Sequence, residues 1–320
     1  MFRNVMVPVD GSSYSREAVL QGVRLASLYG ATLRIVRVAS SSSFSVGSEA
    51  LSLEAAGVDI HAAELADLYA IAAECRAHST INVTASLEFG PIVDALCGYA
   101  RRNAVDLIVM RSHVRSGIAR MWFGSVADAL IRESGVPILV VRPPSVGTAL
   151  EKGFGFRKIV VPLDGSVLAE QALPHAISLA RFEGATVQLI MIVSPSNDSR
   201  DGALMSPMGP AKDRDVSSAN LYLDSIVKQY AAGVRVLSKV VISVDPAGAI
   251  LEAAESCEAD LVAMATRGQG MMARSIGGSV SDRVMRESTT TTLVVHPVAR
   301  TVVRQPLRPA QPAIAGLAQR

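Results

Sequence analysis

Short, nearly unbroken runs of apolar and β-branched residues alternate along this chain with longer segments whose apolar positions return every three to four residues. The runs fall at Asn4–Val9, Thr32–Val38, Asn82–Glu88, Asp106–Met110 and Pro137–Val141, then at Lys158–Leu163, Thr186–Val193, Arg235–Ser243, Asp260–Ala265 and Thr292–His296. An apolar run without polar alternation is the pattern of a strand buried on both faces. Between the first five runs lie helical segments at Ser15–Tyr29, Glu49–His78, Ile92–Asn103 and Val126–Ser134. In the first of these Ala18, Leu25, Ala26 and Tyr29 share one face, and Gly30 stands where a helix ends in the left-handed conformation. Strand and helix alternating in this way predict the α/β class, a parallel sheet with helices on both faces.

The pattern is written twice. Val7-Pro8-Val9-Asp10-Gly11-Ser12 returns as Val161-Pro162-Leu163-Asp164-Gly165-Ser166, so that Asp10 maps onto Asp164 at an offset of 154 residues. The same offset carries Gly30 onto Gly184, Asp106 onto Asp260, Gly124-Ser125 onto Gly278-Ser279, and Arg132-Glu133-Ser134 onto Arg286-Glu287-Ser288. A period of this size is a whole domain and not a solenoid unit. The reading is therefore two tandem doubly wound domains, each a five-stranded parallel sheet: residues 1–144 and 157–298, with a linker at 145–156 and a Pro- and Arg-bearing tail at 299–320 that lacks a period and reads as disordered. Ser40–Ser48 and Ser194–Lys212, rich in Ser, Gly and Pro, occupy matching places after the second strand of each copy and read as loops.

Composition narrows the function. The chain has 320 residues, 49% of them hydrophobic, enough for two cores. A net charge of +2 with 4% aromatic residues argues against a nucleic-acid partner. Cys75, Cys97 and Cys257 are odd in number, form no Cys-x-x-Cys pair and have no counterparts in the other copy, as expected of buried thiols in a reducing compartment. The N-terminal run is interrupted by Pro8 and Asp10, unlike a signal peptide, and no apolar stretch approaches the ~18–20 residues of a membrane helix. A soluble cytoplasmic protein is the expectation.

Doubly wound sheets bind ligands beyond the carboxyl ends of their strands, where strand order reverses. In copy two the fourth strand runs into Thr266-Arg267-Gly268-Gln269-Gly270, and Gly277-Gly278-Ser279-Val280 opens the next helix. Glycines admit backbone N–H groups close to an anion, and a helix start adds partial positive charge, so this is the pattern of a phosphate cradle. Ser279 and Ser281 offer hydroxyls, and Arg267 and Arg274 offer guanidiniums. Asp164, ending the first strand of the copy, suits ribose hydroxyls; the alternative for both Asp164 and Asp10 is a turn, where an aspartate accepts backbone N–H groups. His113 has no partner at catalytic spacing and reads as a solvated side chain.

With these residues in place the chain resembles the universal stress protein family, in its tandem two-domain form, over both copies. That family's ATP signature is Gly-x-x-Gly, nine residues, then Gly-Ser or Gly-Thr. Gly268 and Gly278-Ser279 match the later glycines and Ala265 stands at the first. The resemblance implies ATP as ligand, with Mg²⁺ on its phosphates. Asp164 would lie on the ribose, Ile192 at adenine, and Ala265, Arg267, Gly268, Gly278, Ser279, Val280 and Ser281 around the phosphates. In copy one it implies a second site at Asp10, Val38, Gly124 and Ser125, but Arg111 and Val114 replace two glycines. Val resists positive φ, and Arg puts a long side chain where backbone should meet phosphate. The resemblance further implies an intrachain pseudo-dimer made by the fifth strands, association into a homodimer, and a regulatory role in the stress response read by a protein partner. A weak ATPase and a nucleotide-free interaction module are the alternatives. No evident base and no Walker loop are present, so a dedicated hydrolase is not expected.

Overall fold

The computed structural model describes residues 2–39, 50–111, 124–142, 155–195, 211–266 and 280–296. Copy one contains β1 (Asn4–Pro8), α1 (Ser13–Tyr29), β2 (Thr32–Val38), α2 (Ala50–Ala77), β3 (Val83–Glu88), α3 (Ile92–Arg102), β4 (Leu107–Arg111), α4 (Ser125–Glu133) and β5 (Ile138–Val141). Copy two contains β6 (Lys158–Leu163), α5 (Val167–Glu170), α6 (Leu173–Glu183), β7 (Thr186–Val193), α7 (Ala211–Tyr230), β8 (Arg235–Ile242), α8 (Pro246–Ser256), β9 (Leu261–Ala265), α9 (Val280–Glu287) and β10 (Thr291–Val295). Every predicted strand is present. One helix departs from the repeat: where α1 runs unbroken, copy two splits into α5 and α6, with Pro174 in the first turn of α6. Proline lacks the N–H that would continue a helix through that point.

The repeated residues build repeated joints. Ser12 and Ser166 cap the helices that follow by accepting from the N–H of Ser15 and Ala169. Gly30 and Gly184 end α1 and α6 at φ 63° and 69°. Asp106 accepts from the N–H of Arg3 and Asn4 at 2.7 and 3.0 Å, and Asp260 from those of Arg157 and Lys158 at 2.7 and 2.9 Å. Each carboxylate thereby ties the start of the fourth strand to the start of the first. Ser134 and Ser288 bond the turns into β5 and β10 in the same way, through the N–H groups of Val136 and Thr290.

Within each copy the strand order is 3-2-1-4-5, all parallel, so order reverses between β1 and β4 and between β6 and β9. The two sheets are not separate. β5 and β10 pair antiparallel and join them into one ten-stranded sheet, ordered β3-β2-β1-β4-β5-β10-β9-β6-β7-β8. Leu139 lies opposite Leu293, Val140 opposite Thr292, and Ile138 opposite Val294. Leu139 and Leu293 are equivalent residues at the 154-residue offset, so the seam is centred on a local two-fold axis passing between them. One core layer lies under α1, α2, α6 and α7, and the other under α3, α4, α8 and α9; each layer runs continuously through both copies.

Helix contacts flank the seam on the first face, with symmetric geometry and unequal chemistry. Arg24 pairs with Glu183 at 2.5 Å; its two-fold mate is the contact of Tyr29 with Ser178, whose hydroxyls lie 3.4 Å apart. Glu183 also accepts the N–H of Phe156 at 3.0 Å, and Phe2 stacks on His175 with ring centres 5.8 Å apart. On the opposite side Arg142, buried at the end of β5, donates to the carbonyl of Met285 in the last turn of α9, where a cation is favoured by the helix dipole. Its guanidinium is pushed down to about 10 by burial. The equivalent residue in copy two, His296, is buried with Nε2 unpartnered.

Glu183 is 6% exposed, so removing its partner strands a buried carboxylate. Arg24→Ala is expected to cost about 3–5 kcal/mol in urea denaturation, against about 1 kcal/mol for Tyr29→Phe at the mate contact. Burial also holds His175 and His296 below the ordinary histidine range. A depressed histidine binds its proton in the unfolded chain first, so stability is full above the unfolded value and falls as pH drops below it. The double variant His175→Gln, His296→Gln should lose less stability than the parent between pH 7.5 and 5, measured by denaturant titration at each pH.

Candidate functional site

The carboxyl end of the copy-one sheet opens into a cavity of about 660 Å³. Its floor is apolar, from Val9, Val36, Val38, Met110 and Leu96, with Pro91 and Ile92 along one wall. Its polar groups are Asp10 after β1, Tyr14 and Ser15 in α1, Arg37 in β2, Arg111 at the end of β4, and Gly124-Ser125 at the start of α4. The cavity therefore sits at the switch point between β1 and β4, where the fold predicts a ligand. All four copy-one residues expected at a second site, Asp10, Val38, Gly124 and Ser125, line it together.

Asp10 carries out the turn role as well. Its Oδ1 accepts from Ser12 N–H at 2.9 Å and from Ser12 Oγ at 2.6 Å. Asp164 does the same for Ser166 N–H at 2.9 Å. Gly11 and Gly165 turn the chain at φ 81° and 79°, in the left-handed region. The two turns differ underneath. A Cβ on Gly11 would stand 3.2 Å from both terminal nitrogens of Arg37, whereas one on Gly165 would meet only Met191 Cε at 3.9 Å.

Two arginines in the cavity wall distinguish copy one. Arg37 is held by Glu64 at 3.2 Å and Asp67 at 3.3 Å, both from α2, and His61 adds to Glu64 at 3.3 Å. Arg111 pairs through Nη1 with Glu17 and lies 4.9 Å over the Tyr14 ring. Its side chain is 9% exposed, and its Nε is buried without a hydrogen-bond partner. At the 154-residue offset Arg37, Arg111, Tyr14 and Glu17 correspond to Met191, Ala265, Leu168 and Gln171. In the sequence Arg111 is both an obstacle to backbone contact and, with His113, Arg115 and Arg120, a group able to hold an anion in an altered mode; its pairing with Glu17 and Tyr14 has no sequence signal, and Arg37 and Tyr14 were not singled out. The available signal was Arg37 itself, a charge within the otherwise apolar end of β2 where copy two carries methionine.

Gly124 precedes α4 at φ −58° and ψ 148° and supplies no side-chain cap, and it lines the cavity together with Ser125. The helix begins at Ser125, one residue before its predicted start.

Arg267, Gly268, Gly278 and Ser279, with Gly270 and Arg274, lie outside the described residues, as do His113 and Val114 in copy one. The remaining expected residues are placed. Asp164 is exposed after β6, Ile192 is half-buried in β7, Ala265 is the half-buried last residue of β9, and Val280 and Ser281 open α9. β6 and β9 are adjacent, so Asp164, just after β6, and Ala265, at the end of β9, lie at the copy-two switch point. Beside them the Tyr222 hydroxyl donates to Glu170 at 3.0 Å, and burial followed by that carboxylate pushes the phenol up, with Asp164 adding to the effect. Cys75 and Cys97 are buried and Cys257 half-buried; burial raises all three thiols. Among the described residues no cluster of His, Cys, Asp and Glu has a metal-binding arrangement, and no helix is long and apolar enough to cross a membrane.

A duplicated doubly wound α/β chain with a cavity at its switch point defines a class of paired α/β domains. The model of the universal stress protein family matches residues 1–142 and again 155–296, and the chain belongs to that family. A universal stress protein of Mycolicibacterium smegmatis is 25% identical over 300 residues, covering 92% of this chain and 97% of that one. A universal stress protein of Methanocaldococcus jannaschii is 32% identical over 149 residues, covering 44% of this chain and 82% of its own. The crystal structure of a universal stress protein from Archaeoglobus fulgidus superposes with a TM-score of 0.68 at 20% identity, covering 92% of this chain and 98% of that one, and so shares the fold.

The difference beneath the two turns is measurable. Gly165→Ala should cost about 1–2 kcal/mol from positive φ alone. Gly11→Ala should cost more than Gly165→Ala, because the added methyl also displaces the Arg37 guanidinium; thermal unfolding of the two variants side by side reads the difference.

Proposed function

We propose that this chain is an ATP-binding regulatory protein in which copy two holds the nucleotide and occupancy alters a surface read by a partner in the stress response. The observation that carries this reading is that Asp164 follows β6 and Ala265 ends β9, adjacent strands at the switch point. From Ala265 the sequence continues to Gly268 and, nine residues later, Gly278-Ser279, with α9 opening directly after at Val280. In this reading Asp164 takes the ribose hydroxyls, Ile192 borders the adenine, and Ala265, Arg267, Gly268, Gly278, Ser279, Val280 and Ser281 surround the phosphates. Mg²⁺ would arrive with the phosphates, since the described residues offer no carboxylate cluster of their own for it. The domain boundaries near residues 144 and 157 belong to the same proposal, as does association of two chains into a homodimer.

Calorimetry on the whole chain tests the reading. One ATP per chain is expected, lost in Gly268→Val, which copies the residue at Val114. Absence of ATP binding, or binding that Gly268→Val leaves unchanged, would overturn the assignment to copy two. Asp164→Ala is expected to weaken ATP by tenfold or more.

A further inference from the structure

The ten-stranded sheet ends in copy two at β8, and no described strand pairs beyond it. We infer that this edge takes up an extended segment of a partner protein as a further strand, and that the segment carries acidic residues two positions to either side of an apolar one. The backbone row is open. Ser243 N–H donates to Val193 O at 3.1 Å, and the register with β7 runs unbroken from Arg235 opposite Thr186 to Ile242 opposite Val193. Alternate residues of a strand turn their backbone groups to opposite sides, so Val236, Ser238, Val240 and Ile242 turn theirs to the free edge. Such a row is what strand addition uses.

The side chains set what the row accepts. Val236 and Val240 pack into the core layer under α7, which leaves Arg235, Leu237, Lys239 and Val241 on the other face of the strand. Arg235, Leu237 and Lys239 are exposed, and neither cation has an ion pair among the described residues. Copy one lacks this pattern. Leu33 pairs with Val83 as its equivalent Val187 pairs with Val236, so Thr84, Ser86 and Glu88 stand where β8 has Leu237, Lys239 and Val241. There Ser86 bonds Tyr99 at 3.3 Å and Glu88 bonds Arg102 at 2.6 Å.

Charge selects the occupant. A second copy pairing antiparallel about Leu237 would set Arg235 against Lys239, and like charges directly opposite destabilise a strand pair. Residues 299–320 of this chain carry Arg300, Arg304, Arg308 and Arg320 and no acidic residue. In a partner segment of either direction, an apolar residue laid on Leu237 brings acids two positions away opposite Arg235 and Lys239. A nucleic acid or a lipid surface would meet the cations and leave the backbone row unpaired.

The test titrates the full chain into the fluorescently labelled heptapeptide Thr-Glu-Thr-Val-Thr-Glu-Thr and follows its anisotropy. Saturable binding of one peptide per chain is expected, at least tenfold tighter than that of the same peptide with Lys in place of Glu. The double variant Arg235→Glu, Lys239→Glu should reverse this preference. Ser238→Pro removes one outward N–H and leaves the pairing with β7 intact, so it should weaken the peptide by at least tenfold while the thermal midpoint stays within a few degrees. No saturable binding, a preference that the charge reversal leaves unchanged, or full affinity in Ser238→Pro would each overturn the inference. Binding that appears only after residues 299–320 are removed, or a concentration-dependent dimer that the peptide dissociates, would assign the edge to the chain's own tail or to a second copy and overturn it as well. The edge is made by strand pairing alone, so peptide binding and the nucleotide reading of copy two stand or fall separately.

Discussion

Everything in this molecule is positioned by the antiparallel seam between β5 and β10. Parallel strands of a doubly wound unit are buried on both faces, and the fifth strand of each copy would otherwise present an open row of backbone donors and acceptors. Pairing Leu139 against Leu293 closes both rows at once and lets each core layer pass beneath helices from both copies. The two switch points are thereby fixed relative to each other through one sheet and not through a flexible hinge.

The repeat made most of this legible in the sequence, for a physical reason. Residues that recur at the 154-residue offset do so where backbone geometry leaves little choice: Ser12 and Ser166 as caps, Gly30 and Gly184 in the left-handed region, Asp106 and Asp260 as ties between strands. Asp10 and Asp164 were harder to read, because the same carboxylate both braces a turn and stands at the ligand end of the sheet. Strand periodicity gave all ten strands to within a residue or two, yet said nothing about the sheet being continuous, since pairing between fifth strands leaves no local pattern. The break between α5 and α6 was readable in principle from Pro174.

Less legible were the places where the copies diverge. Arg37 and Arg111 gain meaning only when α1 and α2 bring Tyr14, Glu17, Glu64 and Asp67 to them, contacts that span tens of residues in sequence. The same holds at the seam, where Arg24 with Glu183 and Tyr29 with Ser178 occupy equivalent geometry. Duplication supplied the symmetry, and later substitution within one chain could make its two halves unlike without breaking the fit between them.

Tethering also changes how the seam responds to abundance. Two unlinked copies would meet by collision and separate on dilution, whereas here the partner strand is carried on the same chain at a fixed effective concentration. The ten-stranded sheet therefore persists at any cellular level of the protein, and its inner edges are unavailable to foreign strands. Among the described residues only β3 and β8 remain as edges, and they are unlike: β3 ends in Glu88 paired with Arg102, while β8 exposes Leu237 and Ile242 beside Arg235 and Lys239.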